Sequence, residues 1–522
     1  MGRSRFTKKE RAWILYDWAN SVYATNIMAA IFPPIFVNIA GNAGDAIWGY
    51  ATSLATLVAA LLSPVLGAIA DYKGMKKKLF TFFALLGIIA TGLIAFFGNW
   101  KIMLIFYVIS RIGFSCSNLF YDSFLTDVTT NDRMDKVSSW GYAMGYIGGS
   151  TIPFVISIAV LAFLGYSNPF AQKFSIIITS VWWMVFTIPF LKDVEQVHYI
   201  DSDKKPTFLQ VMRQTLQTAK EITREKGLFL FIIAYFFYID GVGTVINIST
   251  AYGASLGLGT MGMILALLVT QIVAMPCSIL FGSFSKKVGA RKLLLFAIAV
   301  YIVICLFGFV MGFTLEPSQK AYEDAYEDFK TEVVASLPTF VEEEKAEAAL
   351  TTYFQKTSDY IRNNNQDGLD KLHLTWADMH ESDIALATVA EDIIELSRSD
   401  FIDSTDTIDA YQKSIKTSST IFWMMAILVG TVQGGIQATS RSLFGKLIPK
   451  KRSNEFFGFF DIFGKFASFI GPLLYSLIAS LTDRSSYGTI ALAVLFVIGF
   501  VVLYKSGDEL DRLEKERAMS AD

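Results

Sequence analysis

Long runs of apolar residues alternate with short polar segments along almost the whole of this 522-residue chain. A run of about 20 apolar residues can cross the hydrocarbon core of a bilayer as an α-helix. The pattern therefore predicts an all-α membrane protein with twelve spanning helices, TM1 to TM12. Their predicted limits are 13–38, 46–70, 79–98, 101–126, 138–164, 172–191, 227–252, 258–282, 290–314, 418–446, 455–482 and 487–505.

Basic residues collect in every second segment between these helices. Lys and Arg are concentrated in the N-terminus and in the loops at 71–78, 192–226, 285–292 and 446–454. The intervening loops hold at most one each, near 40–45, 98–101, 165–172 and 253–257. Because basic loops remain in the cytoplasm, we expect both termini to be cytoplasmic in a multi-pass protein of the cell (plasma) membrane. An amphipathic helix is expected at 206–226, on the inner surface of the bilayer.

The composition agrees with a membrane protein and excludes several kinds of function and site. Apolar residues make up 53% of the chain and charged residues 18%, whereas soluble chains carry about 25% charged residues. A set of soluble domains and a nucleic-acid-binding protein are excluded on these grounds. The three cysteines lie within apolar runs, so we expect no disulfide, metal site or cofactor. We also find no catalytic constellation and no phosphate-binding loop, so neither an enzyme nor an ATP-driven pump is expected.

The formal net charge of -2 hides a strongly acidic segment. Residues 315–416 hold 23 Asp and Glu against 9 Lys and Arg, a balance of -14, and the rest of the chain carries +12. The alternation of loops puts this segment on the outer side. Its apolar positions recur at helical spacing over 321–333 and 384–396, and Pro317 and Pro338 are expected to interrupt it, which favours a small helical extracytoplasmic domain over disorder.

Two copies of one unit can be aligned within the chain. At an offset of 215, four residues of the first copy match four of the second: Gly67, Gly74, Lys76 and Lys77 match Gly282, Gly289, Arg291 and Lys292. At an offset of 319, Arg133, Gly145 and Pro153 match Arg452, Gly464 and Pro472. The offsets differ by nearly the length of the acidic segment, so that segment is an insertion between TM9 and TM10 of a duplicated six-helix unit.

This organisation divides the chain into six parts. They are an N-terminal half at 1–191, a linker at 192–226, TM7 to TM9 at 227–314, the acidic insert at 315–416, TM10 to TM12 at 417–505, and a cytoplasmic tail at 506–522.

The segment from Gly67 to Lys78 resembles the cytoplasmic motif of the major facilitator superfamily, Gly-x3-Asp-x2-Gly-x-[Arg/Lys]-[Arg/Lys]. The resemblance implies a twelve-helix fold of 6 + 6 and a role in latching the halves in the outward-facing state. The candidate gating residues of this motif are Gly67, Asp71, Gly74, Lys76 and Lys77. We expect Asp71 to cap a helix N-terminus or to pair with a cation. The second copy carries Lys286 where Asp71 stands, which puts a latch there in doubt.

A narrower resemblance is carried by the run from Tyr16 to Tyr23 in TM1 and by the run from Gln437 to Ser442 in TM10. Both are similar to the vacuole-effluxer branch of the superfamily, the autophagy-related amino-acid exporters and their bacterial relatives. Val22 is bulkier than the Ala expected at its place.

Polar residues recur on single faces of four spanning helices, where an ionisable group is costly unless it is paired or faces water. They are Asp17, Asn20 and Ser21 in TM1, Arg111, Ser115, Asn118 and Asp122 in TM4, Asp240, Thr244 and Asn247 in TM7, and Gln433, Gln437, Ser440 and Arg441 in TM10. In the superfamily these are the helices that line the central cavity. The stripes therefore predict a polar path between two halves.

Two residues of the stripes are expected near the midplane. We hypothesise that Arg111 holds an anionic group of the solute and that Asp240 is a proton site or the partner of an amine. The alternative is a static Arg111–Asp240 pair that holds helices together.

Two further pairs are candidates for the gate. The offset of 319 aligns Asp122 with Arg441, and we expect these opposite charges to meet when the inner gate closes. Asp461 and Lys465 of TM11 either belong to the gate or simply neutralise each other at i, i+4.

These features predict a secondary active transporter that moves a small polar, amino acid-like solute by alternating access, with proton-coupled export favoured. An uptake carrier of the same fold is the first alternative. The second is a membrane-anchored receptor or scaffold that acts through the acidic outer domain, whose partner would be extracytoplasmic. An anchor has no need of charged stripes, which argues against that alternative. We expect a monomer whose partners are a small-molecule solute and the lipid bilayer, and no nucleic acid.

Overall fold

Twelve helices in the described part of the chain are long and apolar enough to span a membrane, as the sequence predicts. The computed structural model describes residues 5–41, 44–202, 207–258, 260–336 and 406–519. The spanning helices, TM1 to TM12 in order, are Lys8–Ala40, Gly44–Ala70, Met75–Ile94, Trp100–Val128, Met134–Leu164, Pro169–Asp193, Lys226–Ser255, Thr260–Val288, Ala290–Ser336, Asp406–Leu447, Ser453–Thr482 and Ser485–Lys505.

The two six-helix halves meet along two lines of close contact. TM2 packs along TM11, and TM5 packs along TM8 and TM10. Glycines permit this approach. A methyl group built on Gly67 of TM2 would overlap the backbone of Asn454, and one built on Gly282 of TM8 would lie 2.7 Å from the side chain of Ser139. Gly67 and Gly282 are equivalent in the two copies, so the internal repeat is also the symmetry of the interface.

TM1 and TM5 are not regular α-helices throughout. TM1 changes to π-helix over Tyr23–Ala30, and TM5 does so over Tyr146–Thr151. The two π-helical segments contact each other. Buried Asn26 fixes the first of them, because its side-chain amide donates to Ser157 at 3.2 Å and to Thr179 at 3.0 Å. Such wide turns interrupt the regular ladder of hydrogen bonds and often occur at functional sites.

Two short helices lie at the end of the bundle that bears the basic loops, which we call the basic face. The linker helix, Phe208–Arg224, begins with a capping box and lies against TM2 and TM11. Gln214 of this helix accepts from Tyr72 at 3.3 Å and donates to Glu455 at 3.0 Å. The C-terminal helix, Gly507–Met519, packs on TM7 and TM10 and buries Leu510 and Leu513. Both helices therefore pack against the ends of spanning helices at the basic face.

TM9 and TM10 extend well past the limits that hydropathy predicts. TM9 continues without a break to Ser336, so Pro317 lies inside a helix instead of interrupting the insert as expected. TM10 begins at Asp406, and stacked Tyr322 and Tyr411, 4.7 Å apart, hold the two extensions together. Positions 315 and 416 therefore fall within continuous helices. Residues 337–405, including Pro338, lie outside the described residues, and the helical outer domain stays a prediction.

Candidate functional site

Arg441 of TM10 is the centre of a buried polar cluster between the halves. Its Nη1 donates to Asp122 Oδ1 at 2.8 Å, its Nη2 to Asp17 Oδ2 at 3.3 Å, and its Nε to Ser138 Oγ at 3.0 Å. The predicted approach of Asp122 and Arg441 is thus confirmed as a direct contact. Only 4% of the Arg441 side chain is exposed. One guanidinium group of the second half therefore joins TM1, TM4 and TM5 of the first.

Aromatic rings enclose the same guanidinium group. The rings of Trp13, Tyr121 and Tyr142 lie 4.6, 5.4 and 4.5 Å from Arg441 Cζ. A cation is attracted to aromatic faces, and more strongly when water is excluded. Gly141 leaves room for this arrangement, since a methyl group there would lie 3.2 Å from Arg441 Nη2. Sequence analysis did not identify these rings. Trp13 lies one helical turn before Asp17 in TM1, and Tyr142 lies one turn after Ser138 in TM5.

Asp71 caps a helix of the opposite half. Its Oδ1 accepts from the backbone and side-chain N–H groups of Asn454 at 2.9 and 2.8 Å, and its Oδ2 accepts from the backbone N–H of Glu455 at 3.1 Å. A carboxylate is favoured at the N-terminus of TM11, where free N–H groups and the helix dipole are both satisfied. The capping role predicted for Asp71 is confirmed. Burial raises the pKa of Asp71 to about 7.

The other motif residues have different environments. Lys76 is fully buried and donates to Asp127 at 2.7 Å and to Ser453 of the other half at 3.3 Å. Gly74 has a φ of 70°, a left-handed conformation that glycine adopts without strain. Lys77 instead lines a cleft on the basic face.

The second copy of the motif also joins the two halves, but here the carboxylate lies on TM5 and not in the motif. Ser285, next to Lys286 in the sequence, donates to Asp135 of TM5. Lys446 of TM10 donates to the same carboxylate at 2.7 Å. At an offset of 319, Asp135 of TM5 corresponds to Asn454 of TM11. In the first copy the motif supplies the carboxylate and the other half supplies the polar partner. In the second copy the motif supplies the polar group, Ser285, and the other half supplies the carboxylate. Sequence reasoning missed Asp135 and Lys446; the offset of 319 places Lys446 on Asp127, a reversal of charge like that of Asp122 and Arg441.

A cavity of about 160 Å³ adjoins the Asp122–Arg441 pair, lined by residues of TM4, TM7 and TM11. Asp122, Asp461 and Lys465 supply charges of both signs to its wall. Asp461 and Lys465 are in contact, and Ser63 of TM2 donates to Asp461 at 2.5 Å. The mutual neutralisation considered for this pair is therefore present, together with a contact across the halves. The cavity can hold a small solute that carries charged groups.

The polar stripe of TM4 continues from this cavity along the first half. Asn118 accepts from Asn20 at 2.6 Å, which ties TM4 to TM1. Farther along, Arg111 Nη2 donates to Thr56 at 3.3 Å, and Arg111 Nε has no hydrogen-bond partner. The side chains of Ser21, Ser115, Asn118 and Arg111 are half-buried. The guanidinium group of Arg111 thus has Thr56 and Tyr107 as neighbours, and its Nε can take a further acceptor.

Asp240 lies between TM7 and TM11 within the second half. Its Oδ1 accepts from the backbone N–H of Gly471 at 2.9 Å, while its Oδ2 has no partner. Thr244 is buried beside it. Neither Asp240 nor Arg111 belongs to an ion pair within the described ranges, so the alternative of a static Arg111–Asp240 pair is wrong for this structure.

The remaining candidates of TM7 and TM10 are spread along those helices. Asn247 is exposed, Gln433 is buried, and Gln437 donates to the backbone of Gln433 at 3.1 Å. Ser440 shares a hydrogen bond of 2.6 Å with Tyr238. These residues therefore lie on TM7 and TM10 without joining the Arg441 cluster.

Sequence similarity to known proteins extends over most of the chain. The family model described as "Vacuole effluxer Atg22 like" matches residues 45–337 and 417–514. The uncharacterized MFS-type transporter YxiO of Bacillus subtilis (strain 168) is 37% identical over 513 residues, which are 96% of this chain and 95% of YxiO. Autophagy-related protein 22 of Cryptococcus neoformans var. neoformans serotype D (strain B-3501A) is 22% identical over 386 residues, 73% of this chain and 54% of that protein.

Solved structures with similar folds are more distant in sequence. A bacterial homologue of the iron transporter ferroportin, in an outward-facing state with soaked iron, has a TM-score of 0.56 at 11% identity, covering 96% of this chain and 98% of its own. The proton:xylose symporter XylE, bound to 6-bromo-6-deoxy-D-glucose, has a TM-score of 0.54 at 10% identity, covering 95% and 94%. At these identities the likeness concerns the fold alone.

Proposed function

Because this chain belongs to the Atg22-like vacuole effluxer family of the major facilitator superfamily, we propose that it is a proton-coupled exporter of small, amino acid-like solutes. The observation that carries the proposal is the cavity between TM4, TM7 and TM11, whose wall combines two carboxylates with an ammonium group. A zwitterion presents the complementary pair of charges. In a site with little water, such charges are recognised more strongly than in bulk solvent.

The solute's ammonium group binds between Asp122 and Asp461, and its carboxylate faces Lys465. This placement links binding to the gate, because Asp122 is also a partner of Arg441. An ammonium group at Asp122 competes with Arg441 and weakens the contact that closes the basic face. Arg111 lies farther along TM4, and its unpartnered Nε receives the carboxylate as the solute moves on.

Asp240 is the proton site of this scheme. A buried carboxylate with one unpartnered oxygen and no nearby cation is costly when charged, so it carries a proton in this state. Its contact with Gly471 joins TM7 to TM11, and TM11 packs along TM2 of the other half. Movement of these helices would expose the carboxyl group to water and release the proton. The proton then moves opposite to the solute.

The topology completes the proposal. The basic face is cytoplasmic, with both termini there, and the protein works as a monomer in the plasma membrane. The closed contacts at the basic face correspond to an outward-facing state. The extensions of TM9 and TM10 carry the acidic insert outside, where it is available to an extracytoplasmic partner.

A flux measurement in proteoliposomes tests the proposal. The purified protein is reconstituted, and the efflux of radiolabelled amino acids, dipeptides and sugars is followed with and without a pH gradient. We expect amino acids to be transported, and a proton gradient directed against the flux to accelerate it. Transport of sugars in preference to amino acids would contradict the zwitterion site. Flux that is indifferent to the pH gradient would contradict proton coupling.

A further inference from the structure

An open cleft of about 700 Å³ lies on the basic face, away from the interface between the halves. One wall is the turn between TM2 and TM3 with the first turns of TM3, and the other is the segment that follows TM6. Lys73, Lys77 and Lys78 line the first wall, and Gln196 and Tyr199 line the second. The neighbouring Lys76 points inward instead and is fully buried with Asp127. The cleft therefore has its own set of basic side chains.

The N-terminus of TM3 adds a second source of positive potential to the same cleft. TM3 begins at Met75, and its N-cap residue, Gly74, makes no side-chain capping hydrogen bond. A methyl group built on Gly74 would meet no atom within 4 Å, so the space in front of this helix end is open. A helix N-terminus carries a partial positive charge and favours anions. Lysines and helix end together form a binding site for an anion.

Acidic groups do not cancel this charge. Among the described residues that line the cleft, Glu195 is the acidic one, against three lysines. Asp201 lies 3.8 Å from Lys73, and both side chains are largely exposed, so this pair is weak. Lys73 also lies 5.3 Å above the ring of Tyr199, which orients its ammonium group at the cleft.

One edge of the cleft opens onto the apolar outer surface of TM3. Phe82 lines the cleft and is 58% exposed, and Ile89, two turns farther along the same face, is 54% exposed. Residues seven apart lie on one side of a helix. The cleft therefore continues into a surface suited to hydrocarbon, which a small soluble anion would not use.

We propose that the cleft binds the headgroup phosphate of an anionic phospholipid from the leaflet next to the basic face, with an acyl chain along Phe82 and Ile89. Basic pockets beside membrane-spanning helices are suited to such headgroups. Lys73 follows Asp71 by two residues, so a bound lipid holds the turn that supplies the TM11 cap. Lipid binding thereby stabilises the closed basic face.

Native mass spectrometry of the purified full-length protein measures the binding. Phosphatidylglycerol and phosphatidylcholine with the same acyl chains are titrated, and we expect bound phosphatidylglycerol in excess. The variant K73Q/K77Q/K78Q should bind phosphatidylglycerol on the order of 100-fold more weakly, at roughly five-fold per lysine. The variant K73R/K77R/K78R keeps the charge and should retain binding.

The equivalent loop of the second half provides the matched control. The variant K286Q/K287Q/K292Q removes the same charge from the same face and should leave phosphatidylglycerol binding within two-fold of wild type, roughly the scatter expected for distant surface charges. Equal binding of both lipids, retention by the K73Q/K77Q/K78Q variant, or an equal loss in the control would overturn the proposal. Displacement of the lipid by glycerol phosphate alone would also overturn it, because the site would then take free anions.

Discussion

Asp122 and Arg441 are 319 positions apart, which is the offset between the two internal copies, and Arg441 Nη1 donates to Asp122 Oδ1 at 2.8 Å. Equivalent residues of two repeats can touch only at the axis that relates the repeats. The ion pair therefore lies on the pseudo-twofold axis of the transporter. Any rocking of the halves that opens the basic face must separate these two charges.

Reversal of either charge should open the basic face. Loss of one partner from a buried ion pair costs about 3–5 kcal/mol, because the other charge is left uncompensated. Thr439 lies two residues before Arg441 on TM10 and is buried in the closed structure, so a cysteine there reports opening. We expect D122R and R441D each to abolish flux and to increase thiol labelling of a T439C variant made without the three native cysteines. The exchange D122R/R441D should restore part of both properties.

A surface ion pair serves as the control for this experiment. Lys8 contacts Asp193 at 2.8 Å, but the Lys8 side chain is 82% exposed. Exposed pairs contribute about 0–1 kcal/mol, so K8Q should behave like wild type. If the charge exchange rescued neither single reversal, the gate pairing of Asp122 and Arg441 would be refuted.

Gly67→Ala should hinder closure of the halves. The added methyl group would overlap the backbone of Asn454, and overpacking of this kind costs about 1–3 kcal/mol. Flux should fall, and T439C should become more reactive. Gly49→Ala is the matched control, since a methyl group there meets nothing within 4 Å. Equal effects of the two substitutions would show that close packing at Gly67 has no special role.

The strength of closure should depend on pH through Asp71. In the closed state burial raises the pKa of Asp71 to about 7, whereas an exposed carboxyl group titrates near 3.8. Between these values the closed state binds more protons than an open one, so protonation favours closure. Labelling of T439C, measured relative to that of the denatured protein at the same pH to remove the effect of thiol ionisation, should therefore increase as the pH rises through this range. Asp71→Asn cannot titrate and should flatten the profile. A pH-independent profile in the wild type would contradict this assignment.

Asp135 should contribute to closure as strongly as Asp71 does. Its side chain and that of Lys446 are 11% and 10% exposed, and Asp135→Ala leaves the largely buried ammonium group with Glu514 at 3.8 Å, so closure should weaken by about 1.5–3 kcal/mol, the contribution of a hydrogen bond to a charged group. The readouts are again flux and labelling of T439C. The control is D132N three residues earlier, because Asp132 meets Lys286 at 3.7 Å with both side chains more than half exposed. An inert D135A variant would exclude a latch in the second copy.

Asp240→Asn should separate solute movement from the proton gradient. The amide oxygen of Asn can still accept from Gly471, so the variant should fold, yet it cannot exchange a proton. We expect solute exchange without a gradient to persist at about half of the wild-type rate or better, with a loss of about ten-fold or more in gradient-driven flux. Full gradient-driven transport by this variant would remove Asp240 from the coupling role.

Hydropathy and the repeat were enough to predict the twelve helices, the two halves and the Asp122–Arg441 contact. They suffice because the bilayer sets helix length and because equivalent positions must meet at the axis. The cap formed by Asp71 was also predictable, since a carboxylate after a helix end needs N–H donors.

The rotation of each helix about its own axis was not predictable from one stripe. Asp240 faces TM11 of its own half, and Arg111 faces Thr56 of TM2, although both were placed at similar depth. The π-helical segments depend on Asn26 reaching Ser157 and Thr179, residues more than 100 positions away. Such contacts arise from tertiary packing and leave no local periodicity in the sequence.

The two copies carry different charges at equivalent interface positions, and this difference also decides which half can pair with which. A pair of N-terminal halves would set Asp122 against Asp122 and Asp71 against Asp135, and a pair of C-terminal halves would set Arg441 against Arg441. Like charges facing each other at a site with little water repel strongly. Each half is thus repelled by a copy of itself and attracted by its complement. Duplicated units that could once have formed homodimers are in this way committed to pair within a single chain.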